Sequence, residues 1–105
     1  MSASQPSQNQ ACIHLRVYVA GSAPNSVIAL ARLRALLACY PSVASEVEVV
    51  DVLEQPEIGL RDRILVTPTT VKLEPLPECR IIGSLSDIEG VASLLGLASL
   101  AARQD

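Results

Sequence analysis

Ile13, Leu15, Val17 and Val19 alternate with His14, Arg16 and Tyr18, and the run stops at a glycine turn that leads straight into a helix signal. Alternation with a period of two marks a strand with one face buried. The next stretch, Val19-Ala20-Gly21-Ser22-Ala23-Pro24-Asn25-Ser26, changes the geometry within a few residues. Pro24 suits the first turn of a helix, because the amide it lacks would have no partner there. Ser26, with Asn25 or Ser22, is the expected source of capping oxygens. A strand that turns sharply into a helix commits the chain to a sheet covered by helices. The turn also limits the chemistry. The dipole and unpaired amides of a first helical turn lower a thiol's pKa, yet positions 23–26 read Ala-Pro-Asn-Ser, without cysteine. Recognition, not thiol exchange, is the expected use.

Downstream, residues 24–40 place Leu30, Leu33, Leu37 and Tyr40 on one apolar helical face, and the helix must end before Pro41. Ile28, Arg32, Ala35 and Cys39 share the opposite face, which makes Ile28 a candidate exposed apolar residue. The valine-rich segment 46–53 predicts a second strand. A short helix over 56–65 follows, with Ile58, Leu60, Ile64 and Leu65 as its apolar content. Alone it would be unstable, so it must lean on its neighbours. Segments 66–73 and 79–82 flank the proline-stiffened turn 74–78 and predict an antiparallel hairpin ended by Gly83. The last helix opens on Ser86-Asp87-Ile88-Glu89, a capping box. Its stripe is Ile88, Val91, Ala92, Leu95 and Ala98, interrupted by Gly90 and Gly96. Each interior glycine costs about 1 kcal/mol relative to alanine.

The order is strand, helix, strand, short helix, strand, strand, helix. This βαβαββα arrangement is the thioredoxin-like α/β layout, with a parallel crossover in the first half and an antiparallel hairpin in the second. Val66-Thr67-Pro68-Thr69 stands where such folds often place a cis-proline; the sequence leaves cis and trans equally open. Residues 1–11 are polar, have nothing to bury and are expected to form a disordered arm, leaving 12–105 as one domain. Half of the chain is hydrophobic but Tyr18 and Tyr40 are its aromatics, so the core must be aliphatic. A net charge of -3 argues against a nucleic-acid partner. Neither a membrane-spanning run nor a signal-peptide core is present, which points to the cytoplasm. Cys12, Cys39 and Cys79 have no metal or redox spacing and are expected to be small buried hydrophobes.

Five segments, in order, carry a family resemblance: Leu15-Arg16-Val17-Tyr18-Val19-Ala20-Gly21, Pro24-Asn25-Ser26-Val27, Val50-Asp51-Val52-Leu53, Ile64-Leu65-Val66-Thr67-Pro68-Thr69 and Arg80-Ile81-Ile82-Gly83-Ser84-Leu85-Ser86. Together they resemble the circadian clock protein KaiB family. The resemblance implies a non-enzymatic component, without cofactor, that binds the ATPase ring of the kinase KaiC in the dephosphorylating part of its cycle or regulates its output. It further implies a metamorphic protein: a tetrameric ground state of order βαββααβ, and a rare thioredoxin-like monomer that binds KaiC, then captures KaiA and displaces a KaiB-like kinase sensor domain. Two packings of one sequence must then lie within a few kcal/mol of each other. By the same resemblance, Asp51, Arg63, Leu65, Thr67 and Pro68 are partner-binding candidates, and Gly83, Ser84, Ser86, Asp87 and Gly90 are the fold-switch hinge. A homotetramer or dimer in exchange with monomer is the implied assembly.

Some positions depart from the family. Ile28 and Ala31 replace commonly basic residues, which counts against a KaiA contact on the first helix and suggests a divergent paralogue with its own KaiC-like partner. Ser84 replaces a common acidic residue, and Arg63 a common lysine. No residue receives a catalytic role. Ser26 has no base predicted beside it, His14 reads as a solvent-facing strand residue, and Asp62 with Arg63 reads as a solvated polar pair. The alternative function is a sensor-type interaction domain related to the N-terminal domain of the clock histidine kinase; such a chain would continue into a long helical segment, whereas this one ends at Asp105.

Overall fold

The structure is a computed structural model that describes residues 11–102. Four strands form one sheet in the order β2-β1-β3-β4. The strand β1 (Cys12–Val19) runs parallel to β2 (Ala44–Asp51), with Cys12 opposite Ala44 and Val19 opposite Asp51. The strands β3 (Thr69–Glu74) and β4 (Cys79–Ile82) form the expected antiparallel hairpin, and β3 also lies antiparallel to β1. The helices are α1 (Pro24–Ala38), α2 (Pro56–Arg61), α3 (Ile88–Leu95) and α4 (Leu97–Ala102). This is the thioredoxin-like α/β architecture that the element order predicts.

The alternation along β1 sorts its side chains between two cores. Ile13, Leu15, Val17 and Val19 pack with Ala29, Leu33 and Leu36 of α1 and with Leu85, Val91, Leu95, Leu97 and Leu100 from the C-terminal end. Tyr18 joins Val50 and Val71 in a smaller cluster, covered by Val52, Ile58, Ile64 and Leu73. The short α2 therefore gains its stability from a tertiary apolar contact, as its length requires.

Local detail departs from the sequence reading where packing decides. On α1 the buried face is Ser26, Ala29, Leu33 and Leu36, while Leu30, Leu37 and Tyr40 lie at the core's margin. The helix is apolar around much of its circumference, so spacing alone does not select its inner face. Ser26 is 1% exposed, and its Oγ accepts the Ala20 amide at 3.3 Å. Ala23 is the N-cap and no side chain caps the helix, so neither Asn25 nor Ser22 has that role. β2 begins at Ala44 because pairing with β1 draws in two residues of weak strand propensity. β3 begins at Thr69, after a cis Thr67-Pro68 bond; Glu74-Pro75 and Leu76-Pro77 are also cis.

The C-terminal helix is two helices. Gly96 adopts a left-handed conformation (φ 69°) and ends α3 as its C-cap, so it is a stop, not an interior defect. Ala98 of the expected stripe is exposed, and Leu97 and Leu100 are buried instead. Capping of α3 also differs: the Asp87 side chain, not a Ser86–Glu89 pair, accepts the Gly90 amide, at 3.0 Å. Cys12 and Cys39 are exposed and Cys79 is half-buried, which corrects the expectation of buried thiols. The expected N-terminal arm lies outside the described residues except for Ala11, whose carbonyl accepts the Ala44 amide at 2.8 Å.

The cap assignment separates two substitutions. Asp87→Ala should lower stability by about 1 kcal/mol, whereas Ser86→Ala should change it by less than about 0.5 kcal/mol in the same thermal denaturation series.

Candidate partner-binding surface

One edge of the sheet gathers the C-terminal ends of β1, β2 and β4 and the start of β3, since Val19 pairs with Asp51, Tyr18 with Thr69, and Thr69 with Ile82. Asp51 holds this edge together. Its Oδ1 accepts the Gly21 amide at 3.0 Å and the Leu53 amide at 2.9 Å, so the β1–α1 turn and the chain leaving β2 share one carboxylate. Gly21 takes a positive φ (56°), and a methyl group there would meet Leu53 Cδ1 at 3.4 Å. Across the edge, the buried Pro68 offers its carbonyl to the Gly83 amide at 3.0 Å. Around this frame, apolar side chains point to solvent: Leu65 is 93% exposed, Leu60 81% and Ile82 68%, with Leu53 and Val66 also uncovered. Singly exposed leucines are ordinary, whereas several uncovered apolar side chains near one end of the sheet make it a candidate binding surface.

Behind the exposed loop lies a polar junction centred on Asp62, the C-cap of α2. Tyr18 Oη donates to Asp62 Oδ2 at 2.6 Å, and Arg61 donates through Nε at 2.9 Å and Nη2 at 3.2 Å. Arg16 Nη1 lies 3.6 Å from the same carboxylate and links it to Glu48, which accepts from Arg16 Nη2 at 3.0 Å and lies 2.9 Å from His14 Nε2. The Arg61 hydrogen bond, followed by that of Tyr18, pushes the Asp62 carboxyl down to about 2. Burial, reinforced by the bond to Asp62, raises the Tyr18 hydroxyl above its ordinary value. Hydrogen bonds from Arg16 and His14 lower Glu48. On the backbone side, Arg80 of β4 donates Nη2 to the Asp62 carbonyl at 2.6 Å and Nη1 to the Arg63 carbonyl at 3.2 Å.

The partner-binding candidates divide into two kinds. Arg63 and Leu65 are exposed, and Thr67 is half-buried beside them, whereas Asp51 and Pro68 make the frame that carries the loop. Arg63 has a left-handed backbone (φ 59°), so the short helix ends before Ile64 and Leu65, which the sequence reading had placed inside it. The hinge candidates also separate. Gly83 (φ 109°) touches Pro68, and Ser84 accepts Arg32 Nη1 at its carbonyl (3.0 Å). Ser86, Asp87 and Gly90 lie at the start of α3. Ile28 and Ala31 are exposed on α1. Two sequence assignments change: His14 is half-buried against Glu48, and Asp62 is a packed junction instead of a solvated polar residue. A register pairing Arg16 with Glu48 and Tyr18 with Val50 would have revealed the cluster, but Asp62 reaches it only through the path of α2. Among the described residues, no group of three His, Cys, Asp or Glu side chains is placed to hold a metal, and no helix is long and apolar enough to cross a membrane.

The depressed Asp62 carboxyl fixes a sign for acid behaviour. Its stabilising contribution is present above its ordinary value of 3.8 and is lost as pH falls towards 2. Tyr18→Phe should cost about 1.5 kcal/mol at neutral pH, and urea denaturation of the variant should show a smaller loss of stability across that acid window than the parent chain.

The sequence matches the KaiB domain family over residues 16–97. Over 83 residues it is 48% identical to the circadian clock oscillator protein KaiB of Synechococcus elongatus, covering 79% of each chain. It is equally identical to the KaiB of Prochlorococcus marinus strain MIT 9312, covering 79% of this chain and 77% of that one. Among solved structures, the N-terminal domain of Synechococcus elongatus SasA superposes with a TM-score of 0.71 at 24% identity, covering 100% of this chain and 97% of that one. Mitochondrial thioredoxin 3 of Saccharomyces cerevisiae gives 0.63 at 22% identity, covering 88% and 82%. The two structural likenesses speak for the thioredoxin-like fold, and the domain match with near-half identity to curated relatives goes further: the chain belongs to the KaiB family.

Proposed function

We propose that this chain is a non-enzymatic circadian clock component that binds a KaiC-type ATPase ring through the exposed edge around Arg63, Leu65 and Thr67, and thereby promotes the ring's dephosphorylation phase or regulates its output. The observation that carries the reading is family membership, joined to an edge where uncovered leucines surround a cation on a fixed backbone. The thioredoxin-like form described above is the binding form, and it exchanges with a homo-oligomer in which the C-terminal half follows the βαββααβ order. Gly83, Ser84, Ser86, Asp87 and Gly90 form the segment that changes. This assignment is supported by the backbone of the segment, where Gly83 (φ 109°) and Leu85 (φ 62°) both take positive φ on either side of Ser84. The two forms need lie only a few kcal/mol apart for a partner to select one. KaiA binding is weak or absent in this reading, because Ile28 and Ala31 leave the exposed side of α1 without basic groups at those positions.

A second reading is favoured by one observation, the full-length superposition on the SasA N-terminal domain. In it the chain is a permanently thioredoxin-like interaction domain with no oscillator role. Rate distinguishes the two. Mixed with a purified KaiC-type ATPase ring and followed by size-exclusion chromatography, a fold-switching chain forms its complex slowly and a preformed domain forms it at once. Arg63→Glu should weaken ring binding about tenfold, the equivalent of one lost charge-assisted contact, and leave the homo-oligomer intact; unchanged affinity at low salt would remove Arg63 from the surface.

A further inference from the structure

The last turn of α2 closes its own carbonyls locally, with Ile58, Gly59 and Leu60 accepting the Asp62, Ile64 and Arg63 amides. The two carbonyls that follow, at the C-cap and just beyond it, are satisfied from far away in sequence. The Asp62 and Arg63 carbonyls both accept from the guanidinium of Arg80, 18 and 17 residues downstream, and Arg80 belongs to the edge strand β4. The Asp62 side chain is held separately, by Tyr18 and Arg16 of β1. Arg63 then turns into the left-handed region, and Ile64 returns to donate to the Gly59 carbonyl at 2.8 Å while its side chain joins the Tyr18 cluster. Leu65 and Val66 leave this anchored base and project outward.

We infer that Arg80 is a positioning residue that makes the presentation of the 63–67 loop conditional on β4 being docked beside β3. The forked guanidinium is the physical reason: it spans two successive carbonyls at a helix end, where a cation is also favoured by the dipole. A lysine at this place would reach one carbonyl and lose the fork. When β4 is in register, with Arg80 opposite Val71, the helix end is closed and the loop has one shape. When the C-terminal half is arranged otherwise, the carbonyls lose their donor while the Tyr18–Asp62 bond remains, and the loop loosens without detaching. The inference deepens the proposed function only in treating this loop as the partner-contacting segment; the coupling itself is internal to the chain.

Arg80→Met keeps the aliphatic stem and removes the donors. Amide hydrogen exchange followed by NMR should show the Asp62, Arg63 and Ile64 amides, which donate to Ile58, Leu60 and Gly59 carbonyls, exchanging about tenfold faster. The Leu15 and Val17 amides of the central strand should keep their rates, and Arg80→Lys should recover part of the protection. Unchanged exchange at residues 62–64 overturns the inference, as does an equal acceleration in β1, which would make Arg80 a contributor to global stability alone. Capture by a KaiC-type ring, measured on the same proteins, should fall in Arg80→Met and partly return in Arg80→Lys. Loss of local protection with capture at the parent level overturns the link between β4 and presentation, whereas failure of the parent chain itself to bind counts against the proposed function and leaves the exchange result standing.

Discussion

The pairing of β1 with β2 on one side and β3 on the other leaves that strand without a free backbone edge and obliges its side chains to serve two unlike surfaces. Ile13, Leu15, Val17 and Val19 enter the aliphatic core beneath α1, α3 and α4. His14, Arg16 and Tyr18 lie on the other side, where Arg16 reaches Glu48 and Tyr18 reaches Asp62. A slip of one residue would exchange the two sets and put a cation into the apolar core, a far larger penalty than any single contact in the fold. The register of β1 therefore sets where α1 packs, where β2 ends, and which carboxylates can gather at the end of α2.

The two polar features of the edge have different tasks. Asp51 ties together backbone segments that leave β1 and β2, and its oxygen is committed to amides. Asp62 is committed to side chains, those of Tyr18 and Arg61, with Arg16 nearby. The first fixes the turn that in a redox protein would carry the thiol; the second fixes the neighbouring loop. What remains exposed beside them is apolar side chain, Leu53, Leu60 and Leu65, together with the cations Arg61, Arg63 and Arg80.

Strong local signals in the sequence were sufficient for the architecture. The alternation of β1, the Pro24 helix start and the prolines between β3 and β4 each act within a few residues, and their order specifies a parallel crossover followed by a hairpin. The inner face of α1 was not legible, because Ile28, Leu30 and Leu37 compete with Ala29, Leu33 and Leu36 and only contact with the sheet selects among them. The end of α2 was misplaced for a related reason: Ile64 and Leu65 look like one apolar pair, yet one is packed and the other fully outward once Arg63 turns the chain. The exposed edge was foreshadowed by the family resemblance at Arg63, Leu65 and Thr67. The Asp62 cluster was not, since it joins residues 44 and 46 positions apart whose proximity exists only after β1 and α2 have met.

The position of β2 at the border of the sheet has a further meaning. Among the described residues no strand lies on the outer side of β2, so its outward amides and carbonyls form the kind of edge on which foreign strands add and aggregates grow. Here that row carries Glu46 and Glu48 on one face and closes on Asp51. A second strand of the same sequence stacked parallel and in register would bring Glu46, Glu48 and Asp51 each opposite its own copy. The acidic side chains along β2 thus have a local use: they oppose in-register addition of the same edge.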